Sequence, residues 1–190
     1  MKSKDIFSLM INPFSRIAGW QAFGLGLAIV IVTGIIGTFS NVAFDGVIDM
    51  HLTQNLTFVH SFEFLAIDIV SLVLVMTITG FIISKGFRII DILGTMTLAK
   101  APYLILAIAG YFTVSPDIKE IMKNPFIVFH SVSFIILTLL SIPVTIWGIT
   151  LFYNAFKTSC GVKGGKLVVA FITALLVSEI ISKTLIYKLM

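Results

Sequence analysis

Three ionisable residues, Asp68, Lys100 and Glu179, stand inside otherwise apolar runs of this chain. A charge in hydrocarbon is costly and persists where it is paired or faces an internal cavity, so each marks either an ion or proton path or a tie between helices. Glu179 and Lys183 are four residues apart with the acid first, the favourable order for an ion pair on one helix face. Lys183 can also carry its ammonium outward on its aliphatic stem, and the plain expectation is that it neutralises Glu179. Lys100 is expected to snorkel or to precede a late-starting helix, with Gly94 and Pro102 disturbing the helix entry.

The histidines His51, His60 and His130 are predicted on the same side as Asp45, Asp49, Glu63 and Asp68. Imidazole and carboxylate are usable zinc or transition-metal ligands. Yet the spacing of a metal-binding helix is missing, and His60 with Glu63 three residues on is a weak pairing, so these read as interfacial polar residues with no metal or cofactor. No Ser/His/Asp arrangement or dinucleotide fingerprint occurs, and no enzymatic activity is expected. Gly161, Gly164 and Gly165 beside Lys163 and Lys166 lack the phosphate-loop order and fit a tight turn instead. Asn55, Leu56 and Thr57 spell a glycosylation acceptor, meaningful only in a eukaryotic secretory cell. Cys160 is the single cysteine, which excludes an intrachain disulfide.

The elements that must position these residues follow from composition. Of 190 residues 58% are hydrophobic and 12% charged, against roughly 25% charged in soluble domains. One domain, 1–190, is expected, with a short amino-terminal segment over 1–16. The basic residues behind the net charge of +4 are scattered, which suits lipid headgroups and not nucleic acid. The first apolar run is too long for the core of a cleaved signal peptide.

A helix crossing roughly 30 Å of hydrocarbon needs about 20 apolar residues. Five segments qualify, near 17–39, 61–84, 92–113, 126–153 and 167–187, with Pro143 bending the fourth. The fold class is therefore all-α, a bundle of about five transmembrane helices. Along these alternating spans Asp68 and Glu179 fall in the outer part of the membrane and Lys100 toward the inner part, too far for a direct pair. The connection 40–60 carries Asp45 and Asp49 but no Lys or Arg, whereas Lys2, Lys4, Arg16, Lys85, Arg88, Lys157, Lys163 and Lys166 gather on the other side. By the positive-inside rule the amino end is cytoplasmic and the carboxyl end outside, although Lys119, Lys123, Lys183 and Lys188 lie there.

Trp20, Tyr111, Tyr153 and Tyr187 fall near span ends, where amphipathic rings sit at headgroup level; Trp147 is deeper. Residues 5–11 suggest a short helix on the inner surface. Small residues form ridges at Ala18, Ala22 and Gly26 and at Ala170, Ala174, Ser178 and Ser182, along which helices of this chain, or of two copies as a homodimer, can approach closely.

The segment from Gly86-Phe87-Arg88 to Ala99-Lys100-Ala101-Pro102, the stretch from Trp147 to Lys157, and Gly164-Gly165-Lys166 resemble the Yip1 family, particularly its short bacterial members. The resemblance covers most of the chain and implies five helices and a cytoplasmic amino terminus in a bacterial inner membrane. Eukaryotic relatives act in vesicle trafficking and contact prenylated Rab GTPases, usually with a long cytosolic amino-terminal region that this sequence does not show, a departure that argues against Rab binding. The expectation is a non-enzymatic scaffold or adaptor with lipid and membrane-protein partners; the alternative is a small transporter or channel using Asp68, Lys100 and Glu179.

Overall fold

The computed structural model describes residues 8–114 and 122–189. Lys2, Lys4 and Lys119 of the charge argument lie outside the described residues, as does the first part of the 5–11 segment. The described chain is an all-α bundle with five helical spans long and apolar enough to cross a bilayer, making it an integral, multi-pass membrane protein.

Helix α1 runs Gly19–Ser40 and α2 runs Phe58–Ile83. The third span is broken into α3, Ile89–Ala99, and α4, Tyr103–Tyr111. Pro102 has no amide to donate, and the break is bridged by tighter turns, Lys100 and Ala101 donating to Thr97 and Leu98, and Tyr103 to Lys100. Helix α5 covers Val132–Cys160 and α6 Gly165–Leu189.

Local chemistry explains most boundaries. The Thr57 and Ser131 hydroxyls accept the amides of His60 and Phe134 at the starts of α2 and α5. Asn41 and Gly161, both left-handed, close α1 and α5. The fourth span was expected over 126–153, but 125–130 form a 3-10 turn and the helix is displaced toward the carboxyl end. At 29 residues α5 is about 43 Å long, more than the hydrocarbon thickness, and keeps Pro143 within a continuous helix.

Helices α1, α3 and α4 form one packed group and α2 and α6 another, while α5 lies against α3 and α4. Close approach of α1 to α3 depends on glycine: a Cβ on Gly26 would stand 2.8 Å from the Leu98 Cα, and one on Gly94 would stand 3.0 Å from the Phe23 amide nitrogen. The predicted ridges are thus used inside the chain, with Ala22, Gly26, Ala174, Ser178 and Ser182 all buried. Ala18 departs from that reading, being the exposed residue ahead of α1, and Ala170 is half-buried.

Leu25, Val32, Val70, Leu74, Ile78, Leu139, Ile146 and Ile180 point outward, an arrangement suited to acyl chains and not to water. Trp20, Tyr111 and Tyr187 are exposed near span ends. The deeper Trp147 has a specific reason: its indole N–H donates to the Met10 carbonyl at 2.8 Å, and Asn154 donates to that of Ile11 at 3.1 Å. The amino-terminal segment therefore docks on α5, with Phe14 buried beside it.

Candidate functional site: a re-entrant hairpin over a buried ion pair

The connection between α1 and α2 enters the bundle. It forms a short antiparallel hairpin in which β1, Val42–Ala43, pairs with β2, His51–Leu52. A Cβ on Gly110 would collide with the Val42 side chain, Phe44 stacks edge-on against Tyr103 at 5.9 Å, and the Gly46 carbonyl lies 3.5 Å from Lys100 Nζ. Descending from Gly110 to Lys100 along the third span covers about 15 Å. Four residues of extended chain cover about 13 Å, so the descending arm runs alongside α4 to mid-membrane depth. Non-helical backbone at that depth is tolerated only inside protein, and Val42, Phe44 and Val47 are buried.

At the hairpin tip lies the pair that the sequence kept apart. Lys100 Nζ is 2.8 Å from Asp68 Oδ2, with side-chain exposures of 2% and 0%. The expected separation fails because α2 begins at Phe58 and the third span at Ile89, each three residues earlier than predicted. Each charge thereby moves about 4.5 Å toward the bilayer centre. Asp68 also accepts the Ser182 hydroxyl from α6, and the ammonium sits 5.4 Å from the centre of the Tyr103 ring.

The returning arm is tied to α6. The Ile48 amide donates to Glu179 Oε2 at 3.0 Å, and Glu179 Oε1 lies 3.4 Å from Lys183 Nζ. Lys183 binds Asp49 as well. Burial works to raise the Asp49 carboxyl, but the hydrogen bond from Lys183, the neighbouring His51 and the Met50 amide outweigh it and hold the group below the ordinary carboxylate range. A polar run thus extends from Asp68 at mid-bundle through Lys100, the hairpin backbone and Glu179 to Lys183 and Asp49 at the mouth. Beside it, a cavity of about 370 Å³ separates the returning arm from the face of α5 carrying Leu137, Thr138, Ser141 and Thr145.

The histidines do not converge. His51 pairs with Asp45 at 2.7 Å, His60 with Glu63 at 3.2 Å, both exposed, and His130 is exposed elsewhere. Among the described residues no three of His, Cys, Asp and Glu group as metal ligands would. The cluster contains three carboxylates and two ammonium groups, which suits it to holding backbone or to conducting small charged species.

Sequence reasoning missed the hairpin. The signal was present in the apolar groups Val42-Ala43-Phe44 and Val47-Ile48 set among Asp45, Gly46 and Asp49, too apolar for an exposed loop and too short to cross. Compared with protein-family models, curated proteins and solved structures, the chain has no significant match to any.

Proposed function

We propose that this integral membrane protein is a non-enzymatic scaffold or adaptor similar to Yip1 proteins, binding lipid and membrane-protein partners from a bacterial inner membrane with its amino end in the cytoplasm. The observation that carries the reading is that the charges within the bundle are matched to one another and to main-chain groups. Asp68 holds Lys100 and Ser182, while Glu179 holds Ile48 and Lys183. They tie α2, the third span, α6 and the hairpin into one body that presents apolar helix faces to its surroundings.

Crosslinking in native membranes followed by purification should recover one reproducible partner at fixed stoichiometry. A protein that remains uncrosslinked and supports solute flux in liposomes would overturn the proposal. The second reading, a small transporter or channel, is supported by the continuity of the polar run from Asp68 to Asp49. On that reading Glu179→Gln abolishes flux and leaves insertion intact, and unchanged flux removes Glu179 from any path.

A further inference from the structure

The hairpin is seated on one side and unpacked on the other. Toward α4 and α6 it is held by Phe44 on Tyr103, the Gly46 carbonyl near Lys100, the Ile48 amide on Glu179 and Asp49 on Lys183. Toward α5 its returning arm, including Asp49 and His51, borders the 370 Å³ cavity, a volume equal to on the order of a dozen waters. Two hydroxyls near its seat are buried without any hydrogen-bond partner: Tyr103 Oη, on the ring that Phe44 covers, and Ser71 Oγ, one helical turn beyond Asp68 on α2. Buried polar groups left unpaired are satisfied when water reaches them.

We propose that residues 42–52 form a movable plug, and that its displacement into the cavity beside α5 connects the Asp68–Lys100 pair to water on the face that carries this loop. Opening withdraws the buried Val42, Ala43, Phe44 and Val47 from the core and breaks a small set of polar contacts, so the closed arrangement is the resting one. Lys100, Glu179 and Lys183 surrender a carbonyl, an amide and a carboxylate, all of which water can replace, while Asp68, Lys100 and Ser182 remain joined in the wall of a vestibule that reaches one turn further, to Ser71. The charged groups around the plug are Asp45, Asp49 and His51 on the hairpin itself, Asp68 on α2, Lys100 on the third span, and Glu179 and Lys183 on α6. This inference is independent of whether the protein is a scaffold or a transporter.

Gly46 provides the handle for a test. A Cβ there would run into the Glu179 carboxylate and stand 3.0 Å from the Asp49 Cβ, so Gly46→Val displaces the tip while leaving Asp68 and Lys100 themselves unsubstituted. Glu179→Ala removes the acceptor of the Ile48 amide by a different route. The full chain, with Cys160→Ser and Ser71→Cys, is placed in nanodiscs and treated with a positively charged thiol reagent, labelling being followed by intact mass. We expect Ser71→Cys to react at least tenfold faster in either hairpin variant than with the native hairpin. In parallel proteins retaining Cys160, which is buried at the far end of α5, and lacking Ser71→Cys, the thiol should stay equally slow in all three backgrounds. Rates for Ser71→Cys that agree within twofold would overturn the plug. So would a matching acceleration of Cys160, because the whole bundle would then be loosening.

Discussion

Asp68 and Lys100 lie 2.8 Å apart at side-chain exposures of 0% and 2%, so each is the other's substitute for water. Removing one partner leaves an uncompensated charge in a low-dielectric interior, at a cost of about 3–5 kcal/mol, whereas removing both leaves a neutral, poorly filled site. Lys100→Met should therefore lower the thermal midpoint of the detergent-solubilised protein sharply, and Asp68→Asn combined with Lys100→Met should recover most of the loss. A double variant no more stable than Lys100→Met alone would show that the pair is not what the single substitution disrupts. Trp147 offers a smaller test, because Trp147→Phe removes the bond to the Met10 carbonyl and keeps an aromatic ring, though a smaller one, against the core. A loss of about 1 kcal/mol is expected, together with faster proteolysis ahead of Pro13, while the spans stay intact. Asp68 and Lys100 were legible in the sequence as costly residues in apolar runs. Their partnership was not, because a three-residue error in each helix start moves a side chain by nearly a full turn.

Among the elements, contact between α1 and α3 is set by backbone approach and not by side-chain fit. Gly26→Leu would force a side chain into the Thr97–Leu98 backbone and should prevent recovery of a monodisperse protein, whereas Gly24→Ala, with open space around its Cα, should be neutral or slightly stabilising. Size-exclusion profiles in detergent distinguish the two outcomes. The hairpin adds a pH dependence with a definite sign. Because the folded Asp49 carboxyl is held below its ordinary value, its contribution is complete above that value and is lost as pH falls through the depressed one. Limited proteolysis of the 41–57 connection should thus be constant between pH 7 and pH 5 and should rise only below about pH 4. A rise near pH 6 would assign the pH dependence of the hairpin to a group other than Asp49. The length of their apolar runs made α1, α2 and α6 readable, while the hairpin escaped because so short an apolar stretch also fits an interfacial loop.

For the whole molecule, five spans place residues 41–57 and the end of α6 on one face of the bilayer and residues 84–88 and 161–164 on the other. The proposed orientation rests on the distribution of Lys and Arg, since Lys85, Arg88, Lys157, Lys163 and Lys166 all border the second face. In a Cys160→Ser background, Asn55→Cys should label with an impermeant reagent on intact bacterial cells, and Lys163→Cys only after permeabilisation. The reverse pattern would invert the proposed orientation, and labelling of both on intact cells would contradict the span count.

Composition and the length of its apolar runs were enough to determine that this protein lives in a bilayer as an all-α bundle, because hydrocarbon imposes a length and polarity requirement that each segment meets by itself. The partners of its charges were decided only in three dimensions. Asp68 meets Lys100, Ser182 meets Asp68, and Glu179 meets Ile48 across more than thirty, one hundred and one hundred and thirty residues of chain. Those meetings depend on helix register and on an irregular hairpin folded to mid-membrane depth, where the cost of unpaired polar groups selects the arrangement that satisfies them together.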